Sequence, residues 1–84
     1  MKELKETVYD MLSDDYKRRF LAEYDQLVIR TKRLDAFIQK IEGGEDVKHD
    51  CPVSMLKTQR YHMMQYLRDL SQRAKKENIE LEGR

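Results

Sequence analysis

Tyrosine and basic side chains are the groups in this sequence whose chemistry favours a bound ligand. The chain has five Tyr against two Phe and no Trp. A tyrosine ring can stack on a flat base while its hydroxyl remains in water. Tyr9 and Tyr61 lie off the main apolar pattern and are free to contact a ligand, whereas Tyr24 lies within it and is also a candidate packing residue.

Basic residues stand in short runs, and the first of them is Lys17, Arg18 and Arg19. Such runs commonly form a solvated helix face, but consecutive helical side chains point around the axis, so one of the three faces any partner packed beside Phe20. An arginine near its symmetry mate would form a bidentate phosphate clamp. The predicted ligand-binding residues are Tyr9, Lys17, Arg18, Arg19 and Tyr24.

Catalytic and metal-binding patterns are weak. His49 and Cys51 stand two apart between acidic residues, but structural zinc needs four ligands, mostly Cys and His, and this loop offers one of each. Cys51 has no positioned base beside it. Gly43-Gly44 follows a predicted helix with no strand before it and is not a phosphate loop. We therefore predict a protein that is not an enzyme and needs neither a metal nor a cofactor.

Composition indicates an all-α chain. Of 84 residues, 39% are charged and 39% hydrophobic, with only three Gly and one Pro, which is typical of long helices. The net charge of +1 argues against long nucleic acid but leaves open a small anion in a local pocket. No apolar run approaches the ~18 residues of a membrane span. The N-terminus does not resemble a signal peptide, and a single Cys is in keeping with a cytoplasmic location.

Two long helices are predicted, over about 14–42 and about 54–77, joined by a loop at 43–53 that ends near Pro52. In the first, apolar residues recur every three or four positions from Phe20 to Ile41, and Ser13 is the expected N-cap. Residues 1–12 form a short helix or arm, residues 13–84 form a hairpin of antiparallel helices, and a frayed tail begins at Asn78, in which Ile79 and Leu81 are able to dock.

The predicted hairpin cannot bury all of its apolar surface, because two helices touch along one line and chains of this size gain little from their own core. Leu21 and Val28 widen the apolar face of the first helix beyond what one partner helix covers. We therefore predict self-association into a helical bundle. The expected interface residues are Phe20, Leu27, Leu34, Phe37, Ile38, Leu56, Met63, Tyr66, Leu67 and Leu70.

From Tyr16 to about Leu81 the chain resembles a family of small phage proteins related to a crAss-like phage product. The resemblance lies in YKRRFLAEYDQLVIRTKRLDAFI, in the loop with Cys51-Pro52, and in MLKTQRYHMMQYLRDLSQRA. That family is similar to the phage anti-CBASS sponges, which are hexameric helical hairpins. The resemblance implies a protein that sequesters cyclic di- or trinucleotide immune messengers without cleaving them, in the cytoplasm of an infected bacterium.

The resemblance also implies roles for individual residues. A tyrosine four residues before the cap of the first long helix stacks on a base in the sponges, and Tyr9 has that position here. A lysine that reaches the phosphates is replaced by Leu21 or Tyr24, so Arg18 or Arg19 would supply the charge. A preference for trinucleotides, or for a signal of the cyclic ADP-ribose type, is equally compatible with this change.

Two other functions remain open from the sequence. One is an oligomeric helical adaptor that binds a host or phage protein through its apolar face. The other is a DNA- or RNA-binding helical protein, which the near-neutral charge disfavours. Binding to a panel of cyclic nucleotides separates the sponge from both.

Overall fold

A computed structural model describes residues 3–81 and is helical throughout its regular parts. A 3-10 helix at Leu4–Thr7 leads into α1 (Val8–Met11), followed by the long helices α2 (Tyr16–Glu42) and α3 (Val53–Lys76). No strand occurs over this range, so the predicted all-α class is confirmed. Within residues 3–81, none of the helices is both long enough and apolar enough to cross a membrane.

The first turn of α2 begins later than the sequence suggests. Asp15 is its N-cap, with Oδ1 accepting a hydrogen bond from the Lys17 amide at 2.9 Å. The prediction of Ser13 as the cap is wrong, since its hydroxyl accepts from the Asp15 amide at 3.1 Å and closes the turn before the helix. An aspartate at this position also suits the positive end of the helix dipole. Pro52 immediately precedes α3.

Both long helices end in a Schellman motif, in which a left-handed residue lets two amides reach back to helix carbonyls. Gly44 takes this conformation after α2, with φ of +85°. Asn78 takes it after α3, with φ of +58°, and the next amide, of Ile79, bonds to the Ala74 carbonyl at 2.8 Å. Ile79 is thereby buried, so the tail predicted to fray is packed at that residue. Residues 82–84 of that predicted tail lie outside the described range.

Helices α2 and α3 run antiparallel along their length. Near the loop, Lys57 Nζ lies 2.5 Å from Glu42 Oε2, and at the opposite end the Tyr16 hydroxyl donates to Glu77 Oε1 at 2.7 Å. The core between them is concentrated at that second end, which we call the open end: the start of α2 and the end of α3. Its buried cluster consists of Phe20, Leu27, Leu70, Ala74 and Ile79.

Residues 3–15 are called here the N-terminal segment, and both of its short helices pack against α2 and not against α3. Thr7 lies at the centre of this contact: it is fully buried, and its hydroxyl accepts from Gln26 Nε2 at 2.9 Å. The same Gln26 nitrogen donates to the Met11 sulfur. The apolar stripe of the segment remains accessible all the same, with Val8 47%, Met11 46% and Leu12 77% exposed.

The residues predicted to join protomers divide into three groups by burial. Phe20, Leu27, Ile38 and Leu70 are buried within the chain and so hold its own helices together. Tyr66 is 44% exposed, and its hydroxyl donates to Glu23 of α2. The rest are half-buried, and the oligomer interface stays a prediction; they are Leu34, Phe37, Leu56, Met63 and Leu67.

Candidate ligand-binding site

The three basic residues at the start of α2 are all exposed but differ in what they contact. Arg18 Nη2 lies 3.1 Å from Asp10 Oδ1 in α1, so it fastens the N-terminal segment to the helix. Arg19 Nη1 donates to the Ser13 carbonyl at 2.8 Å. The Lys17 ammonium has no ion-pair partner within residues 3–81. A ligand phosphate can therefore bind it without first breaking an ion pair or a hydrogen bond of the chain.

These contacts correct one side-chain pair that the helical spacing suggests. Asp14 precedes Arg18 by four residues, and such acid-first pairs stabilise helices. Asp14 lies outside α2, however, because the helix begins at Tyr16, and Arg18 reaches back to Asp10. An i,i+4 rule applies only where both residues are helical.

Tyr9 is highly exposed, at 82%. It precedes Asp10, which an ion pair ties to Arg18, so the structure brings the Tyr9 segment and the start of α2 together. Its ring is accessible for stacking on a planar group. The segment that carries this exposed ring is therefore fastened to the basic start of α2.

Tyr24 is not part of this group. It is half-buried and packs on the core cluster between α2 and α3. Six residues separate it from Arg18, which at ~100° per residue puts the two on different sides of α2. Its packing role accounts for its position, and a role for Tyr24 in ligand binding stays a prediction.

A second polar group at the open end was not found from the sequence. The Tyr16 hydroxyl donates to Glu77 Oε1 at 2.7 Å and accepts from Arg73 Nη2 at 2.8 Å. Arg73 also lies over the Phe20 ring, 5.1 Å from its centroid. The hydrogen bond to Tyr16, with the charge of Glu77, raises the pKa of Arg73 above its ordinary value. We call Tyr16, Arg73 and Glu77 the open-end clasp.

The only sequence signal for this clasp is local. Arg73 and Glu77 are four apart, and the geometry pairs them, with Nε and Oε2 3.5 Å apart. The sequence favours Asp69 as the partner of Arg73, because an acid before a base is the better order on a helix. The hydrogen bond from Arg73 of α3 to Tyr16 joins residues 57 positions apart. Residue spacing along a helix cannot predict such a contact.

Two open cavities lie along one flank of α3. The first, of about 430 Å³, lies between the middle parts of α2 and α3. The second, of about 530 Å³, lies at the open end between the last turns of α3 and the residues that follow it. On α3 their lining residues recur every three or four positions and so share one face. Uncharged residues on this face stand between a cation at each end: Arg60, Met64, Leu67, Ser71, Ala74 and Lys75.

The loop shows no arrangement suited to catalysis. His49 Nδ1 lies 2.8 Å from the Cys51 carbonyl oxygen, and the imidazole packs edge-on to Phe37, 6.4 Å between centroids. Cys51 is exposed. Over residues 3–81, no three side chains of the His, Cys, Asp or Glu type come together as a metal site.

Comparison with known proteins gives one match. The model of a family described as Sequestin matches residues 14–76, which include both long helices and the loop. This confirms the resemblance to the sponge-type phage family drawn from the sequence. No curated protein and no solved structure matches the chain.

Proposed function

The chain belongs to the Sequestin family, and from that membership we propose that it binds a cyclic oligonucleotide messenger and sequesters it without cleaving it. The family name describes a sequestering role, which is a binding role and not a catalytic one. Sequestering such a messenger would lower its free concentration in an infected cell and so inhibit CBASS-like signalling. The protein would act there as a homo-oligomer, for which a hexamer is the expected size.

The observation that best supports this ligand class is the pairing of Tyr9 with the basic start of α2. A cyclic oligonucleotide offers flat bases and a ring of phosphates, which match an exposed aromatic ring and exposed cations respectively. Tyr9 supplies the ring, and Lys17 and Arg18 supply the charge. Arg18 is already held by Asp10, so phosphate binding there must compete with an ion pair.

Calorimetry with a panel of cyclic di- and trinucleotides, and a cyclic ADP-ribose compound, tests the proposal directly. We expect saturable binding of at least one member, and recovery of that ligand intact by liquid chromatography and mass spectrometry. No heat and no thermal shift with any member would sink the proposal. Conversion of the ligand to a linear product would contradict the absence of cleavage.

Variants at exposed positions separate stacking from charge without unfolding the chain. Tyr9→Ala removes the ring, and loss of one stacked base weakens binding by roughly 10-fold, whereas Tyr9→Phe keeps the ring and retains affinity. Lys17→Ala is expected to weaken binding and make it less sensitive to salt. Lys40→Ala, an exposed lysine at the other end of α2, is the matched control and leaves affinity unchanged.

A helical adaptor is the second candidate, and the exposed apolar stripe of Val8, Met11 and Leu12 favours it. An adaptor would bind a host or phage protein through this surface, and added nucleotides would not change the complex. Pull-down from host lysate with the wild-type chain and with Leu12→Asp, in the presence and absence of the nucleotide panel, distinguishes the two functions. Capture that is lost in Leu12→Asp and unaffected by nucleotides supports the adaptor.

A further inference from the structure

Charge is strongly separated within this nearly neutral chain. The N-terminal segment carries five acidic residues against the single basic Lys5. Helix α3 carries six basic residues against the single acidic Asp69. The acidic residues of the segment are Glu3, Glu6, Asp10, Asp14 and Asp15, and the basic residues of α3 are Lys57, Arg60, Arg68, Arg73, Lys75 and Lys76.

Some of these charged side chains form ion pairs within the chain, and others do not. Lys57, Arg60 and Arg73 each pair with an acidic side chain of the same chain. Arg68 is exposed and has no ion-pair partner within residues 3–81, and neither has Lys32 across the flank cavity. On the acidic side, Glu6 and Asp14 are likewise exposed and have no salt bridge in the described part of the chain.

Both surfaces also expose apolar groups. The N-terminal segment presents Val8, Met11 and Leu12 to solvent, with Leu12 the most exposed of the three at 77%. On α3, Tyr61 is 60% and Met64 55% exposed. Tyr61, Met64 and Arg68 are three and four apart and so form one face, which we call the α3 stripe. Met64 lines the cavity of about 430 Å³ beside it.

The two surfaces cannot meet within one chain as it is folded here. The two short helices of the N-terminal segment pack on α2, and neither packs on α3. Gln26 of α2 donates to both the Thr7 hydroxyl and the Met11 sulfur, and the Arg18–Asp10 ion pair adds a second attachment. Val8 and Leu12 stay accessible beside these contacts. Any N-terminal segment that reaches the α3 stripe therefore comes from another molecule.

We propose that the N-terminal segment of one copy docks on the α3 stripe of a second copy. The apolar stripe of Val8, Met11 and Leu12 packs on Tyr61 and Met64. The flanking carboxylates of the segment then lie among the unpaired cations of the stripe and the cavity, and this charge complementarity selects a second copy as the occupant. Each copy donates one surface and accepts on the other, so the assembly closes either as a ring or as a reciprocally exchanged pair.

Charge reversal tests the docking through complementation. The variant Glu6→Lys/Asp14→Lys makes the segment basic, and Lys32→Glu/Arg68→Glu makes its docking surface acidic. Each variant alone opposes like charges at the interface, so we expect self-association at least about 10-fold weaker than wild type by analytical ultracentrifugation. Mixing the two restores a complex, because each segment then meets a surface of opposite sign.

Matched controls keep the number of reversed charges the same. Glu45→Lys/Asp46→Lys in the loop and Arg33→Glu/Lys40→Glu on α2 alter exposed residues outside both surfaces. They are expected to associate as wild type does. Circular dichroism on every variant establishes that the protomer remains folded, which the exposure of all these side chains leads us to expect.

Cysteine cross-linking tests the contact itself. In a Cys51→Ser background, Leu12→Cys on one chain and Met64→Cys on another are expected to form a mixed disulfide on oxidation. Met55→Cys is the matched control: it is also exposed on α3, at 61%, but stands nine residues from Met64 and so faces the opposite side of the helix.

The outcomes are decisive because all measurements are made without nucleotide and so do not depend on the proposed function. Restored association in the mixture, with preferential cross-linking between positions 12 and 64, supports the docking. A folded wild-type chain that stays monomeric overturns it. So does an oligomer that is indifferent to both charge reversals, or a monomer whose exposed stripe binds an unrelated protein.

Discussion

Helix α2 is buried on two sides, and the two sides are held by different forces. Toward α3 it contributes Phe20, Leu27 and Ile38, which are almost inaccessible to water. Toward the N-terminal segment it also makes directed polar contacts, with Gln26 bonded to Thr7 and Arg18 paired with Asp10. The first side is stabilised by removal of apolar surface from water, and on the second side hydrogen bonds and an ion pair add to that burial.

This difference explains why apolar side chains of the N-terminal segment, such as Val8 and Leu12, stay exposed in the single chain. Apolar burial is non-directional and scales with area, so the long helices collapse on each other along their shared apolar seam. A hydrogen bond in contrast needs one partner in one place, and a buried group without it is costly. Thr7 and Gln26 therefore fix how the segment lies on α2, and Val8 and Leu12 remain accessible to solvent.

The largest effect is expected for Leu70→Ala on the apolar side. Leu70 is 1% exposed, and truncation of such a residue removes apolar contacts and leaves a cavity, at a cost of about 2–5 kcal/mol in the free energy of unfolding. Chemical denaturation followed by circular dichroism measures it at fixed protein concentration. Met55→Ala, on the same helix and 61% exposed, is the control. Equal effects of the two changes would contradict the burial pattern.

A smaller and more local effect is expected for Thr7→Val on the polar side. The change keeps the volume and removes the hydroxyl that accepts from Gln26 Nε2, at a cost of about 1 kcal/mol. The two short helices of the N-terminal segment pack against α2 and not against α3, so amide hydrogen exchange should accelerate in residues 4–12 and not in α3. Thr58→Val removes an exposed hydroxyl bonded to the Ser54 carbonyl at 3.0 Å and is the control. Uniform acceleration throughout the chain would mean that the segment is not an independent unit.

Tyr16→Phe tests how much the open-end clasp of Tyr16, Arg73 and Glu77 contributes to the stability of the chain. The ring that packs against Phe20 remains, while Arg73 and Glu77 lose the hydroxyl between them, so the melting temperature should fall by less than for Thr7→Val. The folded pKa of Arg73 is raised above its ordinary value, so its contribution is complete below the ordinary arginine pKa and is lost only in strong alkali, above that pKa. The Tyr16→Phe effect should therefore be the same at about pH 6 and pH 9, and a strong dependence on pH in that interval would contradict this assignment.

The smallest effect is expected for Lys57→Ala near the loop. Its ammonium lies 2.5 Å from Glu42 Oε2, but both side chains are nearly half exposed. Exposed ion pairs of this kind contribute about 0–1 kcal/mol and are screened by salt. Denaturation at low and high salt should show a difference between variant and wild type only at low salt. A loss comparable to that of Leu70→Ala would require a buried role for this pair.

Much of the fold could be predicted because its signals are local. The repeat from Phe20 to Ile38 indicates one long amphipathic helix, and Gly43-Gly44 and Pro52 interrupt the chain between the two helices. The errors arise where two local rules compete. Ser13 and Asp15 are both good caps, and the backbone before Tyr16 admits only one helix start.

The candidate site could be predicted only in part. Arg18 reaches the segment that carries Tyr9, through a contact with Asp10 that helical spacing does not foresee. Tyr24 satisfies the same residue-type argument but packs on the core. Residue type alone does not say which of these side chains are buried in the core, because burial depends on how the helices pack.

The sequence by itself determined the helical class, the break between the two long helices and the membership of the family, since all three depend on short-range pattern. Only the tertiary structure decided which cations are consumed by internal pairs, that Tyr16 joins Arg73 and Glu77, and that the apolar stripe of the N-terminal segment is left exposed. These features join residues far apart along the chain. Their energies depend on distance and burial, which exist only once α2 and α3 have packed together.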